Sequence, residues 1–135
     1  MPERLTTLDQ HHLMRALLIG EAAGEAFHGK VACGLVVLNR VQDPRWPDTL
    51  HGVILQPWQF SCTMPQYFRE DMVRVARHEL WWRECDLAAW GLVAGYIRDF
   101  TCGANHYYST IIPAPAWAEG KTPVMVVGKH RFYRL

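Results

Sequence analysis

Residues 17–27 read Leu17-Leu18-Ile19-Gly20-Glu21-Ala22-Ala23-Gly24-Glu25-Ala26-Phe27, which places two acids four residues apart among apolar and small side chains. A carboxyl group held against apolar surroundings tends to keep its proton, and a general acid needs that proton. Raising the pKa of a Glu from ~4.3 to ~6 takes about 2.3 kcal/mol, which partial desolvation can supply. Taken alone, the stretch is also consistent with Glu21 and Glu25 on a solvated helix face.

The residues before Glu21 predict a helix. Asp9 suits the N-cap position, and apolar residues recur at helical spacing up to Leu17. Residues 10–22 should therefore be helical, with Glu21 on the apolar face near the C-terminal end. Gly24 should mark either the end of the helix or a point where another part of the chain approaches closely.

Three more helices are predicted downstream. Helical periodicity of the apolar residues predicts them over residues 30–41, 69–82 and 84–98. Gly29 directly precedes the first of these three helices. Residues 43–66 contain four prolines and read as an ordered loop with short helical or strand pieces.

The last predicted helix carries an apolar stripe that we expect to face the core. The stripe consists of Leu87, Trp90, Ala94 and Ile97. Glu84 and Asp86 would lie in its first turn, where the helix dipole favours acids.

The C-terminal part differs in character. Residues 101–122 are rich in Gly, Pro, Asn and Ser and predict a loop, while residues 123–133 alternate around Gly128-Lys129 and predict a β-hairpin. Helices first and strands last indicate an α+β fold, with residues 1–135 forming one domain.

Composition narrows the function. Half of the 135 residues are hydrophobic and the formal net charge is +1, without a Lys/Arg stripe, which argues against nucleic acid as a partner. No stretch approaches 18 uninterrupted apolar residues, so we expect no stable membrane insertion. For the oligomeric state, we expect a monomer by default.

The N-terminus lacks the profile of a secretory signal, so we expect synthesis in the cytoplasm. If the substrate lies outside the membrane, another factor must release the enzyme. Release by a phage through a holin pore would fit, as would a prophage or gene-transfer relic, or a mature fragment without its signal.

The four cysteines lie far apart and form no C-x-x-C pair; they are Cys33, Cys62, Cys85 and Cys102. We expect small buried hydrophobes or free thiols. An oxidising compartment would allow disulfides in any of three pairings.

Five more motifs follow the acidic stretch in a fixed order. They are Gly34–Val41 (GLVVLNRV), Gln56–Ser61 (QPWQFS), Cys102–Tyr108 (CGANHYY), Pro113–Trp117 (PAPAW) and Val127–Tyr133 (VGKHRFY). Together with the acidic stretch they resemble the cell wall hydrolase family typified by the spore cortex-lytic enzyme SleB, across about residues 14 to 134. That family reads GEARGE, VVLNRV, QPGQFS, GATHFYN, a Pro-rich stretch ending in Trp, and GNHVFY.

This chain departs from the family pattern at several positions. Ala23 stands where Arg is usual, Trp58 where Gly is usual, and Asn105 where Thr is usual. These changes bear on loop shape and substrate contacts and leave the first Glu in place.

The resemblance implies a lysozyme-like, mainly helical domain with a small C-terminal sheet lobe, and cleavage of the peptidoglycan glycan strand. Glu21 matches the residue taken to protonate the glycosidic oxygen, and Glu25 matches the second Glu. A two-carboxylate glycosidase needs its acids on opposite sides of the scissile bond, whereas these come from one segment. A lytic transglycosylase needs one acid, which implies that Glu25 binds backbone or a substrate hydroxyl.

Two motifs supply candidate sugar-binding residues. Gln59, Phe60 and Ser61 combine an amide and a hydroxyl with an aromatic ring, which suits a pyranose, although a loop satisfying its own backbone would look alike. The second set is Asn105, His106, Tyr107 and Tyr108.

Trp117 is either a platform for a sugar or a hydrophobic pin that holds its loop. The sequence does not choose between these two roles.

Other chemistries find less support. His78-Glu79 lacks the second His of H-E-x-x-H, so no metal or other cofactor is expected. A Cys-His peptidase or amidase would have to use Cys102 or Cys62 with His106 or His130. A wall-binding module without activity is the remaining alternative.

Overall fold

The computed structural model describes residues 8–57, 59–60 and 79–135. Trp58, Ser61, Cys62 and most of the predicted helix 69–82 lie outside the described residues.

The described helices include three long ones and one short one. They are α1 (Gln10–Ala22), α2 (Phe27–Val41), α3 (Leu50–Ile54) and α4 (Leu80–Val93). The predicted first helix is confirmed at both ends, and the Asp9 side chain caps it by accepting a hydrogen bond from the amide N of His12 at 2.9 Å.

The prediction for the start of α2 was wrong. The helix begins at Phe27, three residues before the predicted start, so Gly29 lies inside it and is buried. A Cβ on Gly29 would lie 3.1 Å from the Cβ of Glu25 and 3.4 Å from Cγ1 of Val127. Close approach therefore explains this glycine, and a helix boundary does not.

The prediction for α4 was wrong in its bounds and its face. The helix runs from Leu80 to Val93, without the predicted break before Glu84, so Glu84 and Asp86 lie past its first turn. Leu87 and Trp90 of the predicted stripe face outward and are more than half exposed, while Ile97, beyond the end of the helix, packs against the core. Four small residues and one leucine form the buried face instead: Cys85, Ala88, Ala89, Gly91 and Leu92.

Close packing of α4 against α2 explains which residues of α4 are buried. A Cβ on Gly34 of α2 would lie 2.3 Å from Cδ1 of Leu92, so the two helices meet where one of them lacks a side chain. The core is built mainly where α1, α2 and α4 pack together, and α1 contributes Leu13, Met14, Leu17 and Leu18 to it.

The C-terminal residues form a three-stranded antiparallel sheet. The strands are β1 (His106–Ser109), β2 (Met125–Val127) and β3 (His130–Tyr133), in the order β1-β3-β2. The predicted hairpin is confirmed as β2 and β3. The prediction of a loop over residues 101–122 was wrong for β1, which pairs His106 with Tyr133 and Ser109 with His130.

The fold class is confirmed as α+β, mainly helical with a small C-terminal sheet. Among the described residues, no helix is both long and apolar enough to cross a bilayer. Cys33 and Cys85 are buried free thiols and Cys102 is an exposed one, in agreement with the prediction for these three.

Candidate active site

The two acids lie where α1 ends and the chain turns into α2. Glu21 is half-buried on the last turn of α1, next to Ala22, which is 2 % exposed. The turn is closed by the amide of Glu25, which donates to the carbonyl of Ala22 at 3.0 Å. Glu21 therefore lies at the end of α1 and Glu25 lies in the turn that follows it.

The carboxylate of Glu25 is held by the tip of the β2–β3 hairpin. Its Oε1 accepts hydrogen bonds from the amide N of Lys129 at 3.1 Å and from Nδ1 of His130 at 2.9 Å. Because a carboxylate only accepts, His130 donates through Nδ1. The Glu25 side chain is 11 % exposed and the His130 side chain 5 %, so this hydrogen bond is largely shielded from water.

Gly128 makes room for that carboxylate. Its φ is +55°, and a Cβ at this position would lie 2.0 Å from Oε2 of Glu25. The glycine of the hairpin turn is therefore required twice, for the backbone conformation and for the contact.

Two of the described thiols are buried, and of these Cys33 lies near both acids. Burial raises the pKa of Cys33 well above its usual value, and the charges of Glu21 and Glu25 raise it further. Burial also raises the pKa of Cys85 to about 12. Both thiols stay protonated at neutral pH, which excludes them as nucleophiles.

One residue of the site was missed from the sequence and another was misjudged. Lys30 was not singled out, yet its Nζ is buried and donates to the backbone carbonyl of Glu25. The available signal was its spacing in the sequence, three and seven residues before the apolar Cys33 and Val37. His130 was considered only as a partner for a cysteine, although it lies in the last family-like motif.

Tyr107 connects the motifs around the acids. Its ring lies 6.4 Å from that of Phe60, 5.4 Å from that of His130 and 5.7 Å from that of Phe132, between centroids. The predicted sugar-binding residues Phe60 and Tyr107 are thus brought together with the Glu25–His130 pair. Phe60 itself is 4 % exposed, which leaves little of its ring for a ligand.

Arg40 joins Gln59 to the sheet. The guanidinium donates through Nε to the carbonyl of Asn105 at 2.7 Å and through one terminal nitrogen to Oε1 of Gln59 at 3.1 Å. Burial lowers the pKa of Arg40. Gln59 is exposed, so Arg40 orients an amide at the surface.

Asn105 faces the protein. It is 4 % exposed, accepts at Oδ1 from the amide N of Leu135 at 2.9 Å, and donates through Nδ2 to the carbonyl of Leu135 at 3.0 Å. His106 contacts the same Oδ1 through Nδ1 at 2.7 Å. These contacts fix the chain around Leu135 to the start of β1.

His106 lies between two tryptophans, with ring centroids 5.8 Å from Trp46 and 4.9 Å from Trp117. Burial lowers the pKa of His106 to about 4, and the charges of Arg40, Arg45 and Lys121 act in the same direction. The imidazole is therefore neutral near pH 7 and unsuited to act as a general acid there.

Tyr108 and Trp117 pack in a second aromatic cluster. Tyr108 is 8 % exposed and stacks on Tyr133 at 6.0 Å, while the half-buried Trp117 meets Tyr133 edge-on at 5.3 Å. Of the two roles considered for Trp117, these contacts match the pin that holds its loop.

The metal-dependent and Cys-His alternatives find no supporting arrangement of side chains in the part of the chain that is described. No group of three His, Cys, Asp or Glu side chains there is arranged to hold a metal ion. The Nδ1 atoms of His106 and His130 contact Asn105 and Glu25, and neither contact involves Cys102.

Comparison with known proteins adds independent information. A family model described as Cell Wall Hydrolase matches residues 24–133, a range that includes Glu25 and begins three residues after Glu21. Spore cortex-lytic enzymes of Halalkalibacterium halodurans and Bacillus subtilis are 29 % and 28 % identical over 120 residues. The matches cover 89 % of this chain and 33 % and 36 % of those relatives, so the chain spans about a third of their length.

Two solved structures share the fold. The catalytic domain of the Bacillus cereus SleB protein superposes with a TM-score of 0.70 at 26 % identity, covering 93 % of this chain and 89 % of that one. The catalytic domain of the germination-specific lytic transglycosylase SleB from Bacillus anthracis gives 0.73 at 25 % identity, covering 99 % and 100 %. The predicted lysozyme-like fold is confirmed by this likeness.

Proposed function

The chain belongs to the cell wall hydrolase family, and from that premise we propose that it cleaves the glycan strand of peptidoglycan with Glu21 as its single catalytic acid. The relatives named as cortex-lytic enzymes, and the similar structure named as a lytic transglycosylase, support this substrate and reaction class.

One observation carries the single-acid mechanism: the carboxylate of Glu25 is already engaged. Oε1 accepts two hydrogen bonds from the hairpin, and Oε2 lies against Gly128. A second catalytic carboxylate must reach the sugar from the far side of the scissile bond, about 5–10 Å from the first. Glu25 is held toward the hairpin instead, so it is unsuited to act as nucleophile or water-activating base.

The proposed reaction needs no water. Glu21 donates its proton to the glycosidic oxygen as the bond from C1 of MurNAc to that oxygen breaks. The resulting carboxylate then takes the proton of the C6 hydroxyl of the same sugar, whose oxygen attacks C1. The products are a free hydroxyl at the new non-reducing end of the leaving fragment and a 1,6-anhydro ring on MurNAc, and Glu21 regains its proton.

Substrate contacts are proposed for Tyr107 and Gln59. Tyr107 is half-buried beside His130, and Gln59 is an exposed amide whose oxygen is fixed by Arg40. An amide held by its oxygen can donate through its NH2 group to an N-acetyl carbonyl. Ser61 stays a prediction. Asn105, His106, Tyr108 and Trp117 contact the protein, which favours a supporting role for them.

Mass spectrometry of muropeptides released from purified sacculi tests the proposal. We expect anhydro-muropeptides, about one water lighter than the corresponding reducing-end species, and no release by Glu21→Gln. Reducing-end products alone would replace the mechanism with a hydrolytic one. Release of peptide stems with intact glycan, sensitive to EDTA or to a thiol blocker, would support the amidase or endopeptidase alternative.

A binding module without activity remains the other alternative. It predicts that the wild-type protein cosediments with sacculi, releases nothing, and binds equally well after Glu21→Gln.

Delivery and assembly remain proposals. We propose a monomer that is made in the cytoplasm and reaches the wall through a separate release route, which would be a holin pore in the case of a phage endolysin. Lysis of a host expressing the chain only when a holin is coexpressed would support that route, and lysis without one would contradict it.

A further inference from the structure

Lys30 carries a charge into the protein interior. Its side chain is 1 % exposed on α2, where Cys33 and Val37, three and seven residues on, are also buried. Moving an ammonium group out of water costs several kcal/mol unless partners compensate, and a hydrophobic residue of similar volume is often no less stable. Packing alone therefore does not explain a lysine here.

The partners of Lys30 lie on two other segments. Nζ donates a hydrogen bond to the backbone carbonyl of Glu25, in the turn before α2, and lies 3.7 Å from Oε1 of Glu84 on α4. Glu25 is thus held at both ends, by Lys30 at its main chain and by the hairpin at its carboxylate.

The turn between α1 and α2 has little local support. The N-cap residue of α2 is Ala26, which makes no side-chain cap hydrogen bond, and Gly24 is exposed, with nothing within 4 Å of the point that a Cβ would occupy. A side-chain cap typically contributes about 1 kcal/mol at such a position. The bond from Lys30 takes the place of that missing local restraint.

We propose that Lys30 is a positioning residue, which fixes the turn after α1 and so aims the carboxyl group of Glu21 at the glycosidic bond. This inference rests on the proposed function, because it takes Glu21 as the catalytic acid. Misplacing a reacting group by about 1 Å can cost on the order of 100-fold in rate, so a loosened turn should be visible in turnover.

Lys30→Met tests the proposal, since it keeps the unbranched stem and removes the terminal nitrogen with its donors and charge. We expect the denaturation midpoint to fall, because Glu84 loses its partner, and kcat to fall at least ~10-fold at unchanged KM under conditions where the variant is still folded. Lys30→Gln keeps an N–H donor without the charge and should restore kcat to within about threefold of the wild-type value.

Arg15→Met is the matched control. Arg15 on α1 donates to Oδ1 of Asp86 on α4 at 2.7 Å, so it too is a cation that joins another segment to α4, and its hydrogen bond to Asp86 does not involve the turn. This variant should lose stability and keep kcat, which separates general destabilisation from positioning.

Hydrogen exchange gives a readout independent of activity. In Lys30→Met, amides of residues 22–27 should exchange faster, with exchange in α4 and the sheet unchanged, and Arg15→Met should not show this pattern. Wild-type exchange and kcat in Lys30→Met would overturn the proposal. A wild-type protein that releases no glycan fragments would instead overturn the proposed function, and the exchange result would still decide the role of Lys30.

Discussion

The acidic turn (residues 21–25) and the aromatic strand (residues 105–108) use their polar residues differently. In the acidic turn one carboxylate, that of Glu25, is bound by the hairpin, and the half-buried Glu21 stands one helical turn before it. In the aromatic strand, Asn105 bonds to the main chain of Leu135 and His106 contacts Asn105. Hydrogen bonds therefore identify motif residues that hold the fold, namely Glu25 in the acidic turn and Asn105 and His106 in the aromatic strand.

The largest effect should come from the acidic turn. Glu21→Gln should lower turnover by at least ~100-fold, because general acid catalysis typically contributes 10²–10⁴-fold. The swap is isosteric, so the denaturation midpoint should stay close to that of the wild type. Muropeptide release from sacculi measures the first quantity and chemical denaturation the second. Wild-type turnover in this variant would remove Glu21 from the mechanism.

Gly128→Ala should destabilise the protein next most strongly. The new methyl group would overlap Oε2 of Glu25, and an L-residue at φ +55° is strained. We expect a loss of about 2–4 kcal/mol in the free energy of unfolding, from strain and overpacking together. Gly120→Ala is the control, since Gly120 also has positive φ, +73°, with nothing within 4 Å, and it should cost only about 1–2 kcal/mol. Equal losses would show that the Glu25 carboxylate moves aside freely.

Glu25→Gln should have an intermediate effect. The amide oxygen still accepts one hydrogen bond from the hairpin, but the charge opposite His130 is lost. We expect the free energy of unfolding to fall by about 1–2 kcal/mol and turnover to fall by less than about tenfold. Glu119→Gln, at an exposed glutamate, is the control and should change neither quantity. A loss of turnover as large as that of Glu21→Gln would mean that Glu25 takes part in the chemistry.

Local signals predicted part of the fold. The cap at Asp9 and the turn at Gly128-Lys129 lie within the elements that they define, so α1 and the hairpin were predictable. Strand β1 was not, because its partner β3 begins more than twenty residues later and no local pattern records that pairing. In α4 the large apolar residues misled the prediction, since tight helix packing buries the small ones.

The candidate site divides in the same way. Glu21 and Glu25 were found because their spacing belongs to a recognisable motif. The bond from Lys30 was missed because lysine is ordinarily exposed, and only the folded chain shows that its stem runs into the core. A lysine on the apolar face of a helix with acids nearby is a signal for a buried partner.

The smallest predicted effect concerns the aromatic strand. Burial holds the pKa of His106 at about 4 in the folded protein, whereas an unfolded histidine titrates near 6.5. Between these values the unfolded chain binds a proton that the folded protein does not, so the free energy of unfolding falls as the pH is lowered from about 6.5 toward 4. Above pH 6.5 both states are neutral at this residue and it contributes no pH dependence.

His106→Phe removes this titration while keeping a ring between Trp46 and Trp117. Allowing for the solvent that still reaches the imidazole, we expect the loss of stability between pH 7 and pH 4.5 to shrink by about 1–2 kcal/mol relative to the wild type. Urea unfolding at both pH values measures it. Lys121→Met, which removes only one of the nearby cations that lower the pKa of His106, should shrink the loss less, because burial is the larger cause. An unchanged pH dependence in His106→Phe would mean that the imidazole is accessible to protons in the folded state. The aromatic strand would then present His106 to a ligand, and its polar residues would no longer serve only to hold the fold.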